Sequence, residues 1–247
     1  MKNFLRRHTP DSIISFIKSV VGAPDMANSL ALLKHKGFSP RAAIDIGSHV
    51  GHWSKSVKYL FQDIELLMVE PLPARRDQLQ SLASQIGASL IFDLLSDRPG
   101  ELVSFYLGDN GSSIYEPKRF NPSDTLKLRT SCLDSVVLGT PFECPDLIKL
   151  DVQGAEYRVL EGGKKALAMV EVLIIELSVV NSYSQGMLMH EMISYLADRG
   201  LFLYDIGGLL RANRTRSINE IDGIFVRGGS SLWDIQHFLP IDAPFLS

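Results

Sequence analysis

Residues 42–54 read A-A-I-D-I-G-S-H-V-G-H-W-S, and residues 66–71 answer with L-L-M-V-E-P. An apolar run, Ala42 to Ile46, breaks at Gly47 into a turn that holds a second glycine, Gly51. A helix-like segment follows, and the second apolar run ends on the carboxylate of Glu70. Strand, glycine turn, helix, strand and acid, in that order, form a nucleotide-type site at the carboxyl edge of a parallel sheet. Glycines there let backbone approach a ligand, and an acid ending the second strand holds a ribose diol. Glu70 falls roughly 20 residues after Gly51, the interval that a βαβ unit produces. In the plainer reading, Gly47 and Gly51 only shape a βα turn.

The same turn bears on the ligand. A dinucleotide fingerprint wants G-x-G-x-x-G, whereas His49 and His52 stand where its second and third glycines would be. Their side chains hinder a bare backbone approach to a pyrophosphate, which disfavours NAD and FAD. Asp45, a turn with two glycines and then Glu70 suit a cofactor with an adenosine ribose and a zwitterionic tail in place of phosphates. S-adenosylmethionine fits that description.

The 247 residues suffice for one large α/β domain, or for one domain with a small appendage. With 45% hydrophobic and 21% charged residues, the chain can bury a substantial core. A net charge of −3 gives no global pull toward nucleic acid, and the cluster Arg211, Arg214, Arg216 is too short to reverse that. Cys132 and Cys144 stand in no C-x-x-C pattern and near no histidine pair, so neither a disulfide framework nor a metal site is expected. Asp11 and Lys18 cut the apolar part of the N-terminus below the length of a secretory signal. Glu171 and Glu176 interrupt the longest apolar run; no transmembrane segment is expected, and a cytoplasmic location is the default.

Upstream of the turn, Ile13, Phe16, Ile17 and Val20 recur at helical spacing and predict an amphipathic helix. It would pack on the main domain or on the twin subunit of a homodimer; a lid or membrane-edge role is the alternative. A second helix is expected between Pro24 and Gly37. Residues 1–37 thus read as an N-terminal helical extension and residues 38–247 as the main domain. Downstream, Ala42 to Ile46, Glu65 to Val69 and Ser89 to Phe92 read as strands, with a helix over Ala74 to Gln85. Glu101 to Leu107 and Lys127 to Thr130 form an antiparallel excursion around a loop, Asp109 to Asp124, rich in Gly, Ser, Asn and Pro. Alternation resumes with a strand at Asp146 to Leu150, a helix from Tyr157 stopped by Gly162-Gly163, and a strand at Val172 to Leu177. A helix over Met187 to Arg199 and strands at Phe202 to Asp205 and Ile221 to Val226 complete it. The whole is an α/β chain: a Rossmann-like, doubly wound, mostly parallel sheet with N-terminal helices.

These blocks resemble the FkbM family of S-adenosylmethionine-dependent methyltransferases. The resemblance rests on Asp45-Ile46-Gly47-Ser48-His49-Val50-Gly51, on Val69-Glu70-Pro71, on Leu95-Ser96-Asp97 before a turn and strand, and on Leu133-Asp134. Above all it rests on Ile148-Lys149-Leu150-Asp151-Val152-Gln153-Gly154-Ala155-Glu156 with Val159-Leu160-Glu161-Gly162, and it covers most of the chain, residues 38–226. Many class I methyltransferases share the first two blocks; the K-x-D-x-x-G-A-E block makes the resemblance specific. The chain departs from the family pattern at His49, where Asn is usual, and at Gln153, where Glu is usual. The resemblance implies the class I methyltransferase fold and S-adenosyl-L-methionine as cofactor. It further implies O-methylation of a hydroxyl on a sugar, glycoconjugate or secondary metabolite, with a small-molecule or saccharide acceptor and no nucleic acid.

Within that frame, Asp45, Gly47, Ser48, His49, Gly51, Glu70, Leu95 and Ser96 are the expected cofactor-binding residues. Glu70 would accept from both ribose hydroxyls. Asp45 would orient the glycine turn and face the cofactor's ammonium, and Ser48 and His49 would offer backbone amides to the methionine carboxylate at the next helix's start. Leu95 and Ser96 would wall the adenine. Asp151 and Glu156 are the expected catalytic pair, one of them receiving the hydroxyl proton; in the plainer reading they cap the turn after their strand. The loop Asp109 to Asp124 is expected to border the acceptor cleft. A cofactor-binding fold that has lost catalysis and serves as an interaction subunit is the alternative function. A nicotinamide-dependent oxidoreductase ranks behind it, because of His49 and His52.

Overall fold

The computed structural model describes residues 23–108, 111–118, 124–212 and 214–234. In chain order, α1 (Met26–His35) precedes β1 (Ala42–Ile46), α2 (His52–Leu60), β2 (Glu65–Val69), a 3-10 turn (Pro73–Arg75), α3 (Arg76–Ile86) and β3 (Ser89–Ile91). A short excursion follows with β4 (Leu94–Leu95), β5 (Leu102–Leu107) and β6 (Asp124–Ser131). Then come α4 (Leu133–Val137), β7 (Leu147–Leu150), α5 (Glu156–Gly162), α6 (Lys164–Met169) and β8 (Val172–Ser178). Last are α7 (Met189–Ala197), β9 (Leu201–Arg211) and β10 (Ile218–Arg227). The amphipathic helix expected around Ile13 to Val20 lies outside the described residues.

The strands order as β3, β2, β1, β7, β8, β10, β9 in a seven-stranded sheet, with β4, β6, β5 in a small second sheet. From β3 to β8 every pairing is parallel; β10 is antiparallel to both its neighbours. This is the doubly wound, mostly parallel α/β architecture that the alternation of strands and helices predicts. The chain winds outward from β1 to β3, then returns to lay β7 on the other side of β1. Such a reversal opens a crevice at the carboxyl ends of the two central strands, where Gly47 and Asp151 stand.

Side chains alternate across each strand, so the sheet buries two faces. Ile44, Ile46, Val69, Ile148, Leu150 and Ile175 pack with Val159, Leu160, Leu167 and Leu196 of the helices on one side. Ala43, Leu66, Leu147, Ile174 and Ile224 pack on the other with Leu30 and Leu33 of α1 and Trp53 and Val57 of α2. One alternation step further toward the carboxyl edge, that second face presents Asp45, Lys149, Glu176 and Asp222. It is therefore apolar below and charged above.

Some boundaries differ from the expectation. The strand expected at Phe202 to Asp205 extends through Gly207 and Gly208 to Arg211, because β9 and β10 form a long irregular hairpin in which Gly208 faces Asp222. The strand expected at Lys127 to Thr130 extends to Asp124–Ser131 through its pairing with β5. After the Gly162-Gly163 stop a further helix, α6, begins, its amides at Lys165 and Ala166 capped by the Asp134 carboxylate.

Gly47 and Gly51 both have left-handed backbones, φ 80° and 78°. A Cβ at residue 47 would overlap the carbonyl oxygen of Asp151, while one at residue 51 would overlap the end of the Leu82 side chain. The glycine at 47 thus lets the ends of β1 and β7 meet; the space it leaves belongs to the neighbouring strand and not to a ligand. Leu82 can rotate aside, whereas a backbone carbonyl cannot. Gly51→Ala is expected to destabilise by about 1–2 kcal/mol, the left-handed penalty, and Gly47→Ala by clearly more. Urea denaturation of the two variants checks the order; equal losses would mean that the strand ends part freely.

Candidate functional site

The turns after β1, β2, β3 and β7 surround a cavity of about 350 Å³, a small-molecule size. Gly47, Ser48 and His49 form one wall, Glu70 the next, Asp93 and Leu95 a third, and Asp151 and Gln153 the fourth. Phe105 of β5 and Ser112 and Ile114 of the long loop close it from above. The described part of that loop therefore borders this cavity.

Glu70 ends β2 as a buried carboxylate. Its Oε2 accepts the His49 amide at 2.9 Å and its Oε1 the Leu72 amide at 3.1 Å. Burial pushes its carboxyl above the ordinary value, while these two amides and Arg75 act in the opposite sense. An ionised carboxylate offers about four acceptor positions, which leaves room here for a diol.

Several expected contacts are rearranged. The Ser48 amide donates to the Val69 carbonyl at 3.0 Å, and the His49 amide is held by Glu70, so neither is free for an anion. The turn is instead bound onto the end of β2. The N-cap of α2 is Gly51, which has no side chain to cap it, and the Ser54 amide is taken by the Asp45 carboxylate; the amides of His52 and Trp53, both in the cavity wall, are the other first-turn donors. Gly51 lies beneath the wall against Met68 and Leu82. Asp45 is fully buried one layer below the cavity, its Oδ2 accepting the Ser54 hydroxyl at 2.6 Å. The Ser48 hydroxyl donates to the Asp45 carbonyl at 2.7 Å, so residue 45 does orient the turn. Leu95 lines the cavity; Ser96 points away, its hydroxyl on Asp97 at 3.1 Å. Asp93 stands in the wall unanticipated, although the signal was present: like Glu70, it is an acid that follows an apolar strand.

The expected catalytic pair separates into two roles. Asp151 lines the cavity, with Lys149 Nζ at 3.1 Å from Oδ2 and Gln153 Nε2 at 3.0 Å from Oδ1. Burial raises its carboxyl, but the Lys149 charge and these donors prevail and hold it below the ordinary value. A carboxylate so stabilised is less basic than a free one. Glu156 does not reach the cavity: its Oε1 accepts the amides of Val152 and Gly154, each at 3.1 Å, and so folds the turn after β7. His49 and Gln153, at opposite walls, both hold left-handed backbones, φ 53° and 57°. Such strain in non-glycine residues clusters at functional sites.

Among the described residues three buried polar atoms lack a hydrogen-bond partner: Asp45 Oδ1, Trp53 Nε1 and Arg75 Nε. Trp53 and Arg75 line this cavity, and Asp45 lies directly behind it. Two of these sit in ion pairs, Asp45 Oδ1 with Lys149 at 3.8 Å and Arg75 Nε with Glu70 at 3.9 Å, which leaves the Trp53 indole N–H as the exception to the rule that buried polar groups are paired. Among the described residues no group of three or more His, Cys, Asp or Glu is placed to hold a metal ion, and no helix is long and apolar enough to cross a membrane.

The sequence pattern of the methyltransferase FkbM domain matches residues 45–202, the span that builds this cavity. No curated protein matches the chain. Among solved structures, methyltransferase FkbM from Methylobacillus flagellatus KT is similar at 15% identity and a TM-score of 0.49, over 75% of this chain and 44% of that one. The chain thus spans less than half the length of that relative. Precorrin-6y C5,15-methyltransferase from Geobacter metallireducens GS-15 is similar at 9% identity and a TM-score of 0.46, over 81% of this chain and 86% of that one. The 1,6-didemethyltoxoflavin-N1-methyltransferase of Burkholderia thailandensis, with bound 1,6-didemethyltoxoflavin and S-adenosylhomocysteine, is similar at 10% identity and a TM-score of 0.43, over 89% and 91% of the two chains. Since the domain pattern matches well over half of its residues, the chain belongs to the FkbM methyltransferase family.

Proposed function

We propose that the protein is an S-adenosylmethionine-dependent O-methyltransferase acting on a hydroxyl of a sugar, glycoconjugate or secondary metabolite in the cytoplasm. The observation that carries this reading is Glu70: a buried carboxylate with acceptor positions to spare, in the wall of the cavity at the carboxyl ends of the central strands. When bound, S-adenosylmethionine supplies a sulfonium methyl that an acceptor oxygen takes by in-line displacement, sulfur keeping the electron pair of the broken bond. Glu70 would hold the ribose hydroxyls, Asp93 and Leu95 the adenine, and the first turn of α2 the carboxylate of the tail. Asp151 would present a fixed negative charge beside the reacting groups, with Lys149 and Gln153 setting its orientation.

The methyl carbon is already activated, so the protein's contribution is chiefly positioning, which supplies up to roughly 7–11 kcal/mol. The hydroxyl proton would leave to water or to an acceptor-side carboxylate other than Asp151. That both expected catalytic carboxylates are engaged internally favours, as second reading, a subunit that binds the cofactor without transferring its methyl group. Methyl transfer to any acceptor excludes it.

By calorimetry, Glu70→Ala should weaken S-adenosylhomocysteine binding by about 1.5–3 kcal/mol, the range for bonds to a charged group. Unchanged affinity in the folded variant would remove the ribose assignment. Asp151→Asn should lower kcat by less than about a hundredfold and leave the shape of its pH profile unaltered. A loss of about 10²–10⁴ with a lost titration would restore the base.

Glu156 generates a pH dependence. Burial pushes its carboxyl from 4.5 up to about 7, so between those values the folded chain holds a proton that the unfolded chain has released. Its contribution to stability is full below the lower value and is lost as pH rises through the upper one. Glu156→Gln keeps an acceptor for both amides and has no proton to lose. Its stability relative to the parent should therefore rise with pH across this window in denaturation series, and a pH-independent difference would remove Glu156 as the source.

A further inference from the structure

The cavity at the carboxyl edge has a roof held down mainly by hydrogen bonds. Ser112 and Ile114, in the segment of residues 111–118, line the cavity from above. At the start of this segment Ser113 exchanges both backbone hydrogen bonds with Tyr106 of β5, at 2.8 and 3.0 Å. At its end the Lys118 amide donates to the Ser182 carbonyl at 2.9 Å and the Ser184 amide to the Glu116 carbonyl at 2.8 Å, so Pro117 and Tyr183 oppose each other as in an antiparallel pair. Within the segment only Ser113 and Pro117 are buried, while Glu116 and Lys118 are exposed. A stretch with so little buried apolar surface opens at lower cost than the strands around it.

Gln153 fastens the middle of the segment. The Ser113 hydroxyl donates to its carbonyl at 2.7 Å and accepts the Tyr115 amide at 3.0 Å. Gly111 lies against its side chain, so close that a Cβ there would overlap Oε1. That Oε1 accepts the Tyr183 hydroxyl at 2.8 Å, while Nε2 donates to Asp151 at 3.0 Å and to Glu176 at 2.9 Å. Roof, cavity wall and the segment after β8 therefore meet in one residue. Its left-handed φ of 57° is a conformation that glutamine keeps only where its surroundings over-determine it.

Tyr183 stands outside the cavity. It is buried, with its ring on Gly154, where a Cβ would come within 2.8 Å of it. Its hydroxyl reaches the site only through the Gln153 amide.

We propose that residues 111–118 are a strap that closes over the bound methyl donor, and that Tyr183 is a positioning residue which, through Gln153, latches the strap and holds Asp151 in one orientation. This rests on the assignment of the cavity to S-adenosylmethionine. A closed strap sequesters the sulfonium from water, and the latch makes that closure and the placing of the Asp151 charge a single event.

The test is residue-resolved hydrogen exchange of the full chain, with and without S-adenosylhomocysteine, read at the amides of Ser113, Tyr115, Lys118 and Ser184 and, for reference, at β10. A ligand that binds only beneath a closed strap, at about a hundred times its dissociation constant, lowers the open population about a hundredfold; slowing of at least about tenfold at the strap, beyond any at β10, is expected. Tyr183→Phe removes one neutral hydrogen bond and should speed exchange at the strap about fivefold, with or without ligand, and leave β10 unchanged. Gln153→Asn shortens the latch but keeps a residue that tolerates the left-handed backbone. In that background Tyr183→Phe should add nothing further. Strap amides that exchange equally with and without bound ligand would overturn the closure. Additive effects in the double variant, equal speeding at β10, or a Tyr183→Phe chain that does not fold would overturn the latch. Ser113→Ala, which cuts the strap's own bond to Gln153, should speed the same amides; unchanged exchange there would mean that Gln153 does not hold the strap. Failure to bind S-adenosylhomocysteine in calorimetry would instead sink the methyl-donor assignment.

Discussion

A single ammonium group organises the carboxyl edge of the sheet. Lys149 Nζ stands 3.1 Å from Asp151 Oδ2 and 3.8 Å from Asp45 Oδ1, on a face whose next residues down are Leu147 and Ala43. Burial disfavours its charge, but the two aspartates more than reverse that, so the lysine stays protonated. Desolvating a charge is tolerable only with such partners, and removing one partner leaves the other uncompensated. The lysine ties β1 to β7 at the point where Gly47 and the Asp151 carbonyl already touch. It also divides the local acids: Asp151, bonded to it, stays ionised, while Asp45, lacking a direct hydrogen bond to it, is raised by burial.

Gln153 carries that order outward. Its amide donates to Asp151 and Glu176, and its Oε1 accepts the Tyr183 hydroxyl at 2.8 Å. The partners dictate the amide's orientation: the ionised Asp151 carboxylate can only accept, and the Tyr183 hydroxyl donates to the other end. A glutamate here would place a third carboxylate against two others. The departure from the family pattern at residue 153, which in the sequence reads as a lost charge, is thus a gained donor. The Ser113 hydroxyl donates to the Gln153 carbonyl at 2.7 Å, so the loop above the cavity is fastened to the same residue.

The strands were legible where both faces are apolar. Ala42 to Ile46 and Glu65 to Val69 read as mainly apolar runs, and β1 and β2 have those same ends. The extent of β9 was not, because Phe202, Leu203, Leu209 and Leu210 lie exposed on an edge strand, and its length depends on pairing with β10. In the site, Glu70 and Asp151 were legible because a strand end fixes where the next side chain goes. Glu156 and Asp45 were not, because the direction of a carboxylate depends on which donors fold back onto it: the Val152 and Gly154 amides for one, the Ser54 hydroxyl for the other. Ser96 fell one alternation step from the wall that Leu95 occupies.

The placement of Trp53 has an optical consequence. The chain has two tryptophans. Trp233 is fixed, its Nε1 donating to the Arg227 carbonyl at 3.1 Å and its ring edge-on to Tyr204 at 5.0 Å. Trp53 has a buried indole N–H without a hydrogen-bond partner and lines two cavities, one of about 350 Å³ and one of about 870 Å³. A group that enters either cavity changes the polarity around one indole and leaves the other as constant background. The protein therefore contains its own emission gauge, in which an adenine stacked nearby would quench and a new hydrogen bond at Nε1 would shift the spectrum to the red.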